Sequence, residues 1–282
     1  MSAIRPLQVS RRDSRAGPAM IGMPSALAHL LSGATIWLVP LILIAIWWLG
    51  SAHGWINAQT LPPPKQVLGT LIEMIRDGEA WDNLSISLRR VFSGFLLGTI
   101  VGGALGLAMG LSRTIRELLY PSFKAIACVP VLGWLPLFML FLGIGEALKV
   151  VLIAKAALVP VAINTCQGIK GVPSAYLEVG KVYRLGYRQT LVRVMLPAAL
   201  PSIWSGIRYG LTSCWLVLVM VELLGASEGL GYLMSNGQQL MQMDVLLAAV
   251  IIAGLIGFVL DRGLQAVENH LLRWRQAGGG RA

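Results

Sequence analysis

Residues 245–260 read VLLAAVIIAGLIGFVL and residues 34–50 read ATIWLVPLILIAIWWLG, and neither run carries a polar face. A helix at the surface of a soluble protein keeps polar residues along one side at 3.6-residue spacing, so a large soluble helical bundle is excluded. A hydrocarbon core of about 30 Å takes roughly 20 apolar residues as helix. The two quoted runs fall in candidate spans 34–51 and 242–261, and four more of that kind lie at 89–112, 122–143, 147–167 and 199–224. The fold class is therefore all-α, a polytopic membrane protein with about six transmembrane helices. Composition agrees: 56% of the 282 residues are hydrophobic and 13% charged, with a mean hydropathy of +0.70.

The net charge of +10 has to sit outside those runs. Lys and Arg next to short loops are retained on the cytoplasmic side of a membrane. Placing both termini there puts most of the basic residues inside: Arg5, Arg11, Arg12 and Arg15; Arg113 and Arg116; Lys170, Lys181, Arg184, Arg188 and Arg193; Arg262, Arg273, Arg275 and Arg281. The outer segments 52–88, 144–149 and 225–241 hold only Lys65, Arg76 and Lys149, while Arg89 and Arg90 at the outer mouth of the second span run against the trend. The expected layout is a cytoplasmic tail over 1–33, a transmembrane domain over 34–261 with a cytoplasmic loop at 170–197, and a cytoplasmic tail over 262–282. Basic residues dispersed over four segments, without stacking aromatics, do not make a nucleic-acid surface. The protein's medium is the lipid bilayer.

The amino-terminal arginines and first apolar run resemble a secretory signal, but Trp37, Trp47 and Trp48 suit an uncleaved anchor with interfacial tryptophans. Cys128, Cys166 and Cys214 lie in or beside apolar runs with no pair at metal-ligand spacing, so they read as packing residues and no metal or cofactor is expected. His29, His53 and His270 have no nucleophile or carboxylate team near them, and no G-x-x-x-x-G-K-[ST] phosphate loop occurs. The chain does not read as an enzyme; if ATP drives its work, another chain holds the ATP.

Within the spans, Gly94, Gly98, Gly102, Gly106 and Gly110 recur every four residues. Small residues let helix backbones approach in lipid, so this stripe is a packing seam, open to use within the chain or across a dimer. Pro130, Gly133, Pro136 and Pro160 interrupt the third and fourth spans, as a pathway lining or as packing kinks. Lys155 is a charge well inside the fourth span and has to face a partner or water. Glu222 in the fifth span falls at similar depth and is the expected partner; the pair reads either as an outer gate or as a structural ion pair, and Lys155 by itself as a contact for an anionic substrate or as a lysine snorkelling to the outer interface. Arg208, deeper in the fifth span, invites the same two readings. Outside the spans, LPPPKQVLGTLIEMIRDGEAWDNL (61–84) predicts a proline-started amphipathic helix with Val67, Leu68, Leu71, Ile72 and Ile75 on one face. The tail from Arg262, with Val267, Leu271, Leu272 and Trp274, predicts an interfacial helix ending in a disordered Gly278-Gly279-Gly280.

The basic, amphipathic segment EVGKVYRLGYRQTLVRVMLP (178–197) sits between two spans. Helical spacing sets Val182, Leu185 and Gln189 on one side and Lys181, Arg184 and Arg188 on another, and Leu196-Pro197 is expected to end the helix. The segment resembles the EAA loop of bacterial ABC importer permeases, whose pattern is Glu-Ala-Ala, three residues, Gly, nine residues, Ile, one residue, Leu-Pro. The spacing fits without a gap through Glu178, Val179, Gly180, Arg184 at the glycine position, Val194, Leu196 and Pro197; Val179, Gly180 and Arg184 depart from the pattern, and Gly186 is available for the turn instead. Longer stretches, such as ISLRRVFSGFLLGTIVGGALGLAMGLSR (86–113) and the run from Leu196 to Leu233, look like permeases of the aliphatic sulfonate, taurine and nitrate group. The resemblance implies a type I importer permease. Two such chains, expected here as a homodimer, sit on two ATP-binding cassette ATPase subunits in the bacterial inner membrane, and a periplasmic substrate-binding protein delivers a small organic anion, aliphatic sulfonates first, with taurine, nitrate or bicarbonate, or a thiamine precursor as alternatives. It also implies that the helix near 178–190 inserts into a groove of the ATPase. An ion-coupled secondary carrier is the alternative of another class, but such carriers show internal repeats and intramembrane acids, and Glu222 is the one acid read well inside a span.

Overall fold

The computed structural model describes residues 25–55, 57 and 59–273, with side chains from Leu38 onward, and divides the chain into two units, 1–55 and 56–282. Expectations for the tail arginines before residue 25, for Trp274 and for Gly278–Gly280 lie outside the described residues. Among its described residues the first unit contains one helix, α1 (Ser25–Ala52), which passes through Pro40 and whose described apolar side chains from Leu38 to Ile46 are largely exposed.

The second unit is all helix among the described residues: α2 (Pro64–Arg76), α3 (Glu79–Leu111), α4 (Arg113–Cys128), a 3₁₀ turn (Val131–Trp134), α5 (Leu135–Leu142), α6 (Glu146–Lys170), α7 (Ser174–Val182), α8 (Tyr187–Thr190), a π turn (Leu191–Met195), α9 (Leu196–Gly225), α10 (Leu230–Gln239) and α11 (Met243–Leu271). Three continuous helical stretches, Glu79–Leu111, Tyr187–Gly225 and Met243–Leu271, are long and apolar enough to cross a membrane. The bent pair of α4 and Val131–Leu142 makes a fourth if taken as one span. The remaining two expected spans are α1, described in side-chain detail only over its last part, and the 25-residue α6, which is enclosed by its neighbours.

α6 is the centre of the unit because glycines on both flanking helices admit it. A Cβ at Gly94 would lie 2.6 Å from Ile153 Cγ2, at Gly102 2.6 Å from the Leu158 carbonyl oxygen, and at Gly110 2.8 Å from Ile169 Cβ. Rising numbers on α3 meet rising numbers on α6, so these helices run parallel, and the four-residue glycine stripe packs within the chain. On the other side Gly168 meets Ala199 and Ser202, Gly206 meets Pro160 and Asn164, and Gly210 meets Ala157 and Val161. That register descends, so α9 is antiparallel to α6. One end of this three-helix layer therefore gathers the starts of α3 and α6 with the end of α9, and the other gathers Leu111, Lys170 and Leu196.

The prolines act differently from one another. At Val129-Pro130 the chain turns by 96° between α4 and the segment Val131–Leu142, because the residue before proline is pushed to extended dihedrals (Val129 ψ 121°). The expected third span is thus broken. Pro160, by contrast, does not interrupt the fourth: α6 continues through it, and the Asn164 amide donates to the Pro160 carbonyl at 2.8 Å.

Outside the layer, α2 starts at Pro64 as predicted but buries Val67 and Met74, with Leu71 packed beside them. Leu68, Ile72 and Ile75 stay exposed, so the buried face is rotated from the one expected. The Thr70 hydroxyl donates to Asp244 at 2.8 Å, tying α2 to α11. α11 runs unbroken across position 262 to Leu271, so the last span and the start of the expected tail form one helix.

Candidate functional site

α7 and the turn after it build the surface around 178–190. The predicted single helix through this region is instead two pieces. α7 stops at Val182, the Arg184 N–H donates to the Lys181 carbonyl at 3.0 Å, and the Leu185 N–H reaches back to the Gly180 carbonyl at 3.0 Å. That bond pattern is a Schellman stop, whose pivot residue adopts the left-handed conformation usually given to glycine. Here the pivot is Arg184, at φ +52°, while Gly186 is extended at φ −65°, ψ 161°. The turn is therefore made at the position where the EAA pattern has glycine, and Gly186 does not replace it. A side chain in that region costs about 1 kcal/mol relative to glycine. Arg184→Gly should accordingly firm the stop, and hydrogen exchange at the Leu185 amide should slow about fivefold; unchanged or faster exchange would show that the arginine is unstrained.

Gly180 is buried against Thr190, where a Cβ would lie 3.5 Å from Thr190 Cγ2, so α7 folds back onto the root of α9. The outward side is apolar and aromatic: Val179 is 52% exposed, Val182 79%, Tyr183 74% and Tyr187 73%. Lys181, Arg184 and Arg188 are exposed around them, as is Glu178. Leu196-Pro197 does not end a helix. The five-residue π turn Leu191–Met195, with the Leu196 N–H bonded to the Leu191 carbonyl, leads directly into α9, and Pro197 sits in its first turn, where its missing N–H is tolerated. α8, the π turn and α9 are one continuous lever, Tyr187–Gly225. A groove of about 980 Å³ lies between α7, the carboxyl end of α6 and this root, lined among others by Gln167, Tyr176, Arg193 and Ser205.

The charges at membrane depth are paired differently from the expectation. Glu222 does not meet Lys155. Its carboxylate is fully buried and accepts from Arg90 Nη1 at 2.7 Å, from the Ser87 hydroxyl at 2.9 Å and from the Gly231 N–H at 3.0 Å. Arg90, 4% exposed, also donates to Glu146 at 2.6 and 2.7 Å and to the Glu228 carbonyl at 2.7 Å, and Lys149 donates to Glu146 at 2.7 Å. Two cations meet two anions at the shared end of α3, α6 and α9. This explains how Arg90 stands against the charge trend. It also holds the Glu222 carboxylate on several sides, away from Lys155. Glu146, just before the fourth span, is held at about 2, first by the hydrogen bond from Arg90, against some desolvation. Its folded pKa is lowered, so its stabilising contribution is complete above the ordinary carboxylate range and is lost as pH falls through about 2.

Arg208 is held by Asp261 at 2.9 and 3.0 Å and by Glu268 at 3.4 Å, joining α9 to α11. Both acids lie at or beyond the end of the sixth candidate span, which is why depth reasoning missed them. Lys155 has no ion pair among the described residues: Nζ donates to the Val129 carbonyl at 3.3 Å and lies 5.2 Å from the centre of the Trp134 ring. Both partners come from the break between α4 and α5, which no periodicity signals.

Known proteins are similar to this chain in sequence. The family model described as "Binding-protein-dependent transport system inner membrane component" matches residues 94–273. The Bacillus subtilis (strain 168) protein SsuC, named as an aliphatic sulfonates transport permease, is 39% identical over 85% of this chain and 87% of its own length. The taurine transport system permease protein TauC of Escherichia coli (strain K12) is 35% identical over 83% of this chain and 86% of its own. The nitrate import permease protein NrtB of Synechocystis sp. (strain ATCC 27184 / PCC 6803 / Kazusa) is 32% identical over 81% and 85%.

Proposed function

The chain belongs to the family of binding-protein-dependent transport system inner membrane components, the permeases of ABC transporters, and from that premise we propose that it forms the translocation path of an importer for small organic anions, aliphatic sulfonates first. In that reading ATP is hydrolysed by separate cassette subunits in the cytoplasm, a periplasmic binding protein delivers the anion, and two copies of this chain make the path in the inner membrane, both termini cytoplasmic. Residues Glu178, Val179, Gly180, Arg184, Gly186, Leu196 and Pro197 belong to the segment that engages the ATPase, and Lys155 faces the path.

The observation that carries the coupling role is the exposed patch of Val179, Val182, Tyr183 and Tyr187 on a rigid stop. Exposed aromatic and aliphatic side chains interspersed with Lys181, Arg184 and Arg188 have the composition of an interface core, and water is a poor partner for them. Behind the patch, α7 folds onto the start of a continuous helix that reaches Gly225, so a push at α7 acts on a stiff lever through the membrane. The ATPase moves the lever only if it binds one arrangement of the bundle better than another.

Copurification tests this. Val179→Asp with Val182→Asp places two carboxylates in the interface core while leaving the Schellman stop and Gly180 untouched. The ATPase retained per permease should fall at least tenfold with the permease still monodisperse, in line with a loss of 1.4 kcal/mol or more of binding. Undiminished retention would take the coupling role from this segment. The anion class is supported by relatives named for sulfonates, taurine and nitrate, and uptake of labelled alkanesulfonates, taurine and nitrate by the reconstituted importer separates them.

A further inference from the structure

Beside Lys155, between α3, α4, α5 and α6, lies a cavity of about 460 Å³ whose walls are almost wholly apolar; Leu97, Val101, Phe123, Phe138 and Leu158 form much of it, and Lys155 and Trp134 border it. The volume is in the range of small-ligand sites, which pair an apolar body with a few placed polar groups. Two observations point to an anionic occupant. A lysine inside a span is expensive unless compensated, and Lys155 has only a 3.3 Å carbonyl contact and a ring face, with no carboxylate among the described residues. Trp134 lines the same cavity, and its indole N–H is buried without an acceptor. Lys155 and Trp134 thus bring a cation and an indole N–H without an acceptor among the described residues to the border of an otherwise hydrocarbon cavity.

We propose that this cavity is a transient binding site within the membrane for the transported anion, taking the charged head at Lys155 and Trp134 and an unbranched alkyl tail against Leu97, Val101 and Phe138. The proposal rests on the importer reading and adds to it where the substrate pauses and how its tail is measured. Head recognition by a single ammonium is undemanding about the acid group. The apolar walls, by contrast, reward chain length: each buried methylene strengthens binding about three- to fourfold until the cavity is full. A lipid tail or the partner permease would use the same walls without needing the charge.

The test uses the permease–ATPase complex in lipid nanodiscs without the binding protein, titrated calorimetrically with methanesulfonate, propanesulfonate, hexanesulfonate and 1-hexanol against empty nanodiscs. Saturable affinity should climb with chain length along the sulfonates, and 1-hexanol should bind at least tenfold more weakly than hexanesulfonate. Lys155→Met should weaken every sulfonate at least tenfold. Val101→Trp, entering from a partly exposed position, should leave methanesulfonate binding intact and abolish the gain with length. Equal binding of 1-hexanol and hexanesulfonate, which a lipid-type groove would give, overturns the proposal, as does a length dependence that survives Val101→Trp. Uptake into vesicles by the complete importer separates the two readings. No import of any sulfonate, with the Lys155-dependent length series intact in nanodiscs, removes the importer reading and keeps the site; full import with both variants behaving as wild type removes the site and keeps the importer.

Discussion

Glu222→Gln should destabilise the folded protein by about 3 kcal/mol, seen as a lower thermal midpoint of the detergent-solubilised chain, and adding Arg90→Met should recover most of that loss. Glutamine keeps the shape, and its one oxygen in the place of Oε2 still accepts from the Gly231 N–H and the Ser87 hydroxyl, but the change removes the charge and turns an amide N–H toward Arg90 Nη1, where an acceptor stood. Arg90, at 4% exposure, is then left with Glu146 as its one counter-charge among the described residues. Removing one member of a buried pair costs about 3–5 kcal/mol, whereas replacing both is often near neutral. The lower end applies because Glu146 still meets Arg90, although it is largely exposed and shared with Lys149. A double variant less stable than Glu222→Gln alone would mean that Arg90 stabilises through its bond to the Glu228 carbonyl and not through charge balance.

Gly98→Leu should reduce the yield of monodisperse protein to below about a tenth of wild type, while Gly103→Leu on the same helix should leave it near normal. A Cβ at Gly98 would run into the Ala154 carbonyl oxygen and the Ala157 methyl. α6 has little room to retreat, because on its far side a Cβ at Gly206 would lie 2.6 Å from Asn164 Cβ and one at Gly210 3.2 Å from Val161 Cγ2. Overpacking a core costs about 1–3 kcal/mol when side chains can give way, and here the obstacle is backbone, so the cost exceeds that range. Gly103 has nothing within 4 Å of its would-be Cβ. Size-exclusion profiles of the two variants side by side decide it, and equal profiles would show that the α3–α6 contact is looser than this register implies.

Much of the fold was legible because it follows from one-dimensional quantities. Apolar run length picked out the long helices, and the four-residue repeat of glycine marked the face of α3 that carries the closest contact. The Schellman stop illustrates the limit. Spacing located the family's glycine position at Arg184, but local chemistry favoured Gly186 as the turn, and only the fold-back of Gly180 onto Thr190 forces Arg184 into the left-handed region. The rule for the residue before proline predicts a terminator at Leu196-Pro197 because it considers a regular α-helix. The π turn Leu191–Met195 changes the local hydrogen-bond register and lets the helix pass.

The sequence by itself determined that the chain is helical and lives in a membrane, which helix face is smooth enough for close packing, and which segment between spans carries the basic, amphipathic surface. The tertiary structure alone decided who pairs with whom at depth. Residue count along a span fixes height in the bilayer, and on height alone Lys155 and Glu222 match. The direction in which a side chain leaves its helix is set by which neighbours the glycines admit, and that rotation turns Glu222 to Arg90, Arg208 to Asp261, and Lys155 to an apolar cavity beside Trp134.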